Sequence, residues 1–88
     1  MLDIVKVEDI IFESLIEHIN LEDIELDNYD FDIDSKTYYV EYNICVQEYI
    51  SCESTQVFEN EITDAMNYLL CNTDGYNIDL KMRWMVKH

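Results

Sequence analysis

Twenty acids against five bases give this 88-residue chain a net charge of −15, and its length fits one domain near the small end of what folds without staples. Hydrophobic residues make up 49%, with seven tyrosines, three phenylalanines and a tryptophan, enough for a packed core and against wholesale disorder. No apolar run approaches the ~20 residues of a membrane span, and acids from Asp3 onward replace the basic-then-apolar order of a signal peptide, so a cytoplasmic protein is expected.

The stretch IVKVEDIIFESLIEHIN places Ile4, Val7, Ile11, Leu15 and Ile19 at helical spacing, with Phe12 and Ile16 widening the stripe. This predicts a first helix over 4–20 with Asn20 at its C-terminal cap. From Ile24 the period becomes two. IELDNYDFDID alternates apolar and acidic residues, with a slip of phase at Asn28–Tyr29 that predicts a bulge or turn, and with Phe31 and Ile33 facing the core. TYYVEYNICVQEY continues the alternation, with Tyr38, Val40, Tyr42, Ile44 and Val46 on one face, and the two runs read as a hairpin about Asp34–Ser35–Lys36.

STQVFENEITDAMNYLLC returns to helical spacing. Phe58, Ile62, Ala65 and Leu69 align beside Met66 and Leu70, Thr55 is the expected N-cap, and Glu59 and Glu61 lie toward the positive end of the dipole. Thr73–Asp74–Gly75 then breaks the helix, and YNIDLKMRWMVK alternates, with Tyr76, Ile78, Leu80, Met82, Trp84 and Val86 on one face. The order α-β-β-α-β predicts an α+β two-layer sandwich, a three-stranded antiparallel sheet with two helices on one face and a wet, polar opposite face.

Three cysteines, Cys45, Cys52 and Cys71, are odd in number and form no C-x-x-C pair, which fits reduced thiols buried as small hydrophobes. No spacing joins them to His18 or His88 as a zinc site. His18 at a helix C-terminus is explained by the dipole. With one glycine there is no phosphate-cradling loop, and no enzyme or cofactor is expected.

DFDIDSKTYYVE sets Asp30, Asp32, Asp34 and Glu41 at positions 1, 3, 5 and 12 of a calcium loop. Ser35 stands where the loop needs glycine, Phe31 and Ile33 are apolar, and a strand pattern follows in place of a helix. Without metal, Asp30, Asp32 and Asp34 form a row along one face of a strand, about 6.8 Å apart. Calcium is therefore the minor alternative.

The acids define the candidate binding surface. Asp9, Glu13 and Glu17 repeat every fourth residue on the first helix, while Glu25, Asp27, Asp30, Asp32 and Asp34 line the first strand, with Glu41 and the exposed Tyr39 beside them. No lysine interleaves these rows. Residues 1–80 hold all the acids with only Lys6 and Lys36, and the last eight carry Lys81, Arg83 and Lys87, which are expected opposite acids on a neighbouring strand. A chain of this length has a diameter of roughly 30 Å, and that length of duplex DNA carries about 18 charges. The net charge is of that order.

On LEDIELDNYDFDID and the helix-one carboxylates, the chain resembles the small DNA-mimic inhibitors of phages, of the anti-CRISPR and anti-restriction kind. The resemblance implies an inhibitor that occupies the basic groove of a DNA- or RNA-handling host effector, such as a CRISPR nuclease, in the host cytoplasm. It implies a basic protein partner, with no direct contact to nucleic acid or membrane; homodimerisation is left open. The alternative reading is an acidic interaction or accessory module, or an immunity-type antitoxin, without nucleic-acid mimicry.

Overall fold

The computed structural model describes residues 2–71 and 75–87. Helix α1, Ile4–Ile16, begins where Asp3 caps the N–H of Val5 at 3.0 Å. It leads to β1, Leu21–Asp32, and β2, Thr37–Val46, which pair antiparallel. Helix α2, Cys52–Met66, continues into a π-helical turn, Asn67–Cys71, before β3, Asn77–Val86. The element order is the expected α-β-β-α-β, and the sheet order is β1-β2-β3.

The sheet is mixed rather than wholly antiparallel. β3 runs parallel to β2, from Thr37 opposite Asn77 to Val46 opposite Val86. The reason lies in lengths. A ten-residue strand advances about 33 Å, and twenty helical residues return about 30 Å. α2 and its π-turn therefore carry the chain back to the start of β2, the crossover that parallel pairing requires.

The core lies between the sheet and the two helices. Val7, Ile11 and Leu15 of α1 and Ile62 and Met66 of α2 meet Val40, Tyr42, Ile44 and Val46 of β2 and Ile78, Leu80 and Met82 of β3. The alternation read from β2 and β3 is the observed one, and Trp84 packs against this core with its ring 6.2 Å from that of Phe58. Tyr42 is fully buried, and its hydroxyl donates to Glu8 Oε1 at 3.2 Å, tying the central strand to α1. Burial first, and the Glu8 charge second, push the Tyr42 phenol well above its ordinary value.

Several expected boundaries move. α1 ends at Ile16 and not at residue 20, because Leu15 O takes the N–H groups of His18 and Ile19, and Asn20 O already receives Gln47 N–H at the open end of the hairpin. Glu17, not Asn20, is the C-cap. α2 starts before Thr55: Ser51 Oγ accepts from Ser54 N–H at 3.2 Å, and Glu53 is the acid of the first turn. The widened turn at Asn67–Cys71 shifts the helical phase, so Leu69 is exposed while Leu70 packs on the core.

β1 slips register at Leu26/Asn28, as the phase change predicted, and again at Leu21/Asp23. Its alternation ends at Asp32. Ile33, expected in the core, is 77% exposed in the hairpin turn, where Asp32 Oδ1 accepts from the N–H groups of Asp34 and Ser35 and Lys36 adopts a φ of 55°. The cysteines differ from the buried reading too, since Cys45 is half-buried and Cys52 exposed. The side chain of Cys71, Thr73, Asp74 and His88 lie outside the described residues; Gly75, expected to help end the helix, has a φ of 72°, in the left-handed region that favours glycine.

Asn67 joins α2 to β3. Its Nδ2 donates to Thr63 O at 2.9 Å and Ile78 O at 3.1 Å, and its Oδ1 accepts from Ile78 N–H at 2.7 Å. Removing it leaves several partly buried backbone groups without partners. Asn67→Ala is expected to lower stability by about 2–3 kcal/mol in urea denaturation, whereas Gln56→Ala, on the exposed face of α2, stays within about 0.5 kcal/mol. Equal effects of the two would remove the bridge from the account of stability.

Candidate functional site

The acidic rows occupy two sides of the molecule. On α1 the core stripe is Val7, Ile11 and Leu15, so Asp9 and Glu13, two positions on, point to solvent, and Glu17 caps the helix end. On β1 the residues paired with core-facing positions of β2 are Ile24, Leu26, Tyr29 and Phe31. Glu25, Asp30 and Asp32 alternate with these and face the opposite, helix-free side with Asp23, while Asp27 is the extra residue of the bulge.

The two groups meet at the edge of the sheet. A groove of about 300 Å³ runs between α1 and the start of β1, lined by Glu8, Asp9, Phe12, Glu22, Asp23 and Ile24. The acids thus form a band that wraps around the β1 edge. Glu13 and Glu17 continue it along α1, and Asp34 extends it only into the hairpin turn, off the strand row where it was expected.

On the helix-free face, register places Tyr39 beside Asp30 on β1 and Asp79 on β3. Glu41 stands between Asn28 and Lys81, and Asn43 between Glu25 and Arg83. A shallow depression of about 320 Å³ opens here, lined by Asp27, Glu41, Asn43, Lys81 and Arg83, and Asn43 Oδ1 is buried in it without a hydrogen-bond partner. The face grades from acidic at β1 to basic at β3. Of the expected cross-strand oppositions, Lys81 faces Glu41, whereas Arg83 faces the neutral Asn43.

Lys87 reaches across the sheet end to Glu22, Nζ to Oε1 at 3.0 Å, and Gln47 Nε2 donates to Glu22 Oε2 at 2.7 Å. The amide of Gln47, then Lys87, hold the Glu22 carboxyl below its ordinary 4.5, and Glu22 raises Lys87 in turn. This cluster was not legible in the sequence, because Glu22 occupies a bulge outside the alternating pattern.

The calcium spacing does not become a calcium cage. Asp30 Oδ1 accepts from the following N–H of Phe31 at 2.8 Å, Asp32 organises the turn, and Glu41 lies on β2 opposite Asn28. Among the described residues, no three His, Cys, Asp or Glu side chains are grouped so that they could hold a metal ion. A concavity of about 510 Å³ lies at the other end of α1 among Glu17, His18, Tyr49, Ser51 and Phe58, where the His18 and Phe58 rings are 6.0 Å apart. No helix among the described residues is long and apolar enough to cross a membrane.

The fold and the band together define a small α+β domain with a mixed three-stranded sheet and one acidic edge. A solved structure, the metal-bound C-terminal domain of the CzcD transporter from Thermotoga maritima, is similar at a TM-score of 0.56 and 17% identity, covering 93% of this chain and 88% of that one. At that identity the likeness shows the fold alone. No family model and no curated protein matches the chain.

Because Glu22 is held below its ordinary value, its contacts support the fold above about pH 4.5 and fade as pH falls through its own midpoint. Carboxyl NMR titration is expected to find Glu22 below the ordinary glutamate value, and Gln47→Leu or Lys87→Gln to move it upward. An unchanged Glu22 midpoint in both variants would dissolve the cluster.

Proposed function

We propose that this domain is an acidic inhibitor that binds a basic nucleic-acid-handling protein in the place of nucleic acid. The supporting observation is the geometry of its charge. The molecule measures 40 × 23 × 21 Å, longer and narrower than the roughly 30 Å expected from chain length. Fifteen net negative charges along 40 Å average one per about 2.7 Å. That lies between the ~1.7 Å of duplex DNA and the ~3.4 Å of one of its strands.

A cleft that attracts phosphates attracts such a surface by the same field, with fast, salt-sensitive association. The chemistry asked of the domain is complementarity alone. Carboxylates of the β1 edge meet lysine and arginine, and Tyr39, 40% exposed between Asp30 and Asp79, offers a ring to a guanidinium. The mode of action is that of the small phage inhibitors of CRISPR and restriction nucleases. The metal bound by the CzcD domain is not carried over to this chain, since the described side chains gather no ligand set.

The test is capture from host lysate on the tagged protein, released by a salt ladder and followed by competition. The expected result is a nucleic-acid enzyme that is lost steeply between about 50 and 200 mM salt and whose bound DNA the domain displaces. A captured enzyme that keeps its DNA, or that ignores salt, overturns mimicry and leaves an accessory or immunity-type module. Reversing Asp30, Asp32 and Asp34 to lysine is expected to weaken capture at least about tenfold; the loss of the turn bonds to Asp32 opposes the relief of self-repulsion, so the variant's urea denaturation is measured beside its capture. Unchanged capture by the triple variant would place the interface elsewhere.

A further inference from the structure

The sheet has two edge strands, and they are finished differently. On β3, α2 occupies the edge: Ile78 N–H donates to Asn67 Oδ1 at 2.7 Å and Met82 N–H to Glu59 Oε2 at 3.1 Å. On β1, residues 25–30 are exposed throughout, and among the described residues no helix side chain bonds its backbone. Its core-side residues are also poorly covered. Leu26 and Tyr29 are each 37% exposed, and Phe12 of α1, at 47%, lines the groove beside Ile24.

We propose that the open edge of β1 is a docking site for an extended segment of the basic partner in which apolar and cationic side chains alternate, added as a fourth strand. The inference rests on the reading above and specifies the partner's recognised element. A strand added here would present alternate side chains to the two faces of the sheet. On the core side they meet Leu26, Tyr29 and Phe12, with the groove of about 300 Å³ to receive one of them. On the other side they meet Asp23, Glu25, Asp30 and Asp32, where opposite charges across strands are favourable.

Charge complementarity selects this occupant. A second copy pairing through β1 would set carboxylate against carboxylate, so the edge is closed to its own kind. Asp23 and Asp30 accept from the N–H groups of Ile24 and Phe31 at 2.9 and 2.8 Å. An incoming lysine can draw each carboxylate to itself while a carbonyl of the added strand takes the N–H. The bulge at Asp27 divides the edge, so the regular stretches for pairing are Asp23–Leu26 on one side of it and Asn28–Asp32 on the other.

The experiment uses the full chain and a synthetic peptide of alternating lysine and valine. Two controls have the same composition: one with lysines and valines in separate blocks, and one alternating but N-methylated on every second residue, prepared in both registers. The alternating peptide is expected to bind at least about tenfold more tightly than the block peptide and than the N-methylated peptide of one register. It should slow amide hydrogen exchange within 24–31 while leaving β3 unchanged, and Glu25→Lys combined with Asp30→Lys should abolish both effects. Equal, salt-sensitive binding of all the peptides would overturn strand addition and leave the acidic-surface reading standing. Failure of every cationic peptide to bind at low salt would sink both. Protection of 24–31 that rises with protein concentration without peptide would assign the edge to a second copy and overturn the proposal.

Discussion

The fold depends on keeping its carboxylates wet around one uncharged core. No charged or polar residue is buried among the described residues, and the buried set is twelve apolar or aromatic side chains. Two carboxylates spaced about 6.8 Å apart on a strand repel by roughly 0.6 kcal/mol in water before salt screening. In a drier setting the same pair would repel several times more strongly. Every row therefore lies on an exposed face, and the acids that approach the core, Glu8 at the Tyr42 hydroxyl and Glu59 at the Met82 N–H, do so from partly exposed positions.

That requirement makes β2 the organising strand. It pairs on both sides and contributes four of the twelve buried residues. The strands beside it inherit the edges and the charge. β3 lies under α2 and carries two of the five bases, Lys81 and Arg83, while β1 extends past the reach of α1, whose thirteen residues span about 20 Å against about 40 Å for the twelve of β1. The exposure of Leu26 and Tyr29 follows from this difference in length.

Much of the fold was legible because periodicity reports which face a side chain takes. Val40 to Val46 alternate without interruption, and the slip at Asn28–Tyr29 marked the bulge that re-phases β1. Periodicity does not report which strand lies alongside. The direction of β3 depended on whether α2 is long enough to return the chain, and the hydrophobic stripe alone did not decide it. Ile33 was misplaced because Asp32, continuing the alternation in sequence, in fact closes a turn through its own side chain. The acidic residues of the candidate site were all visible, but their arrangement was not. Glu25, Asp30 and Asp32 face away from α1, and only the groove between Asp9 and Asp23 shows that the rows meet around an edge.

An exposed strand edge is a liability that proteins close with caps, charges or bulges. Here the two edges use different means. The caps that Asn67 and Glu59 place on β3 occupy two of its outward backbone donors, those of Ile78 and Met82, against any incoming strand, whatever its charge. The charges and bulge on β1 repel only a strand of like sign. Acidity by itself would thus be explained by solubility, and it does not distinguish a solvated edge from a binding one. The apolar residues beside it are the observation on which the proposed binding edge rests. A strand that needed only to stay dissolved would carry polar groups where Leu26 and Tyr29 stand, whereas an edge that receives an alternating basic segment needs both the carboxylates and the uncovered apolar row.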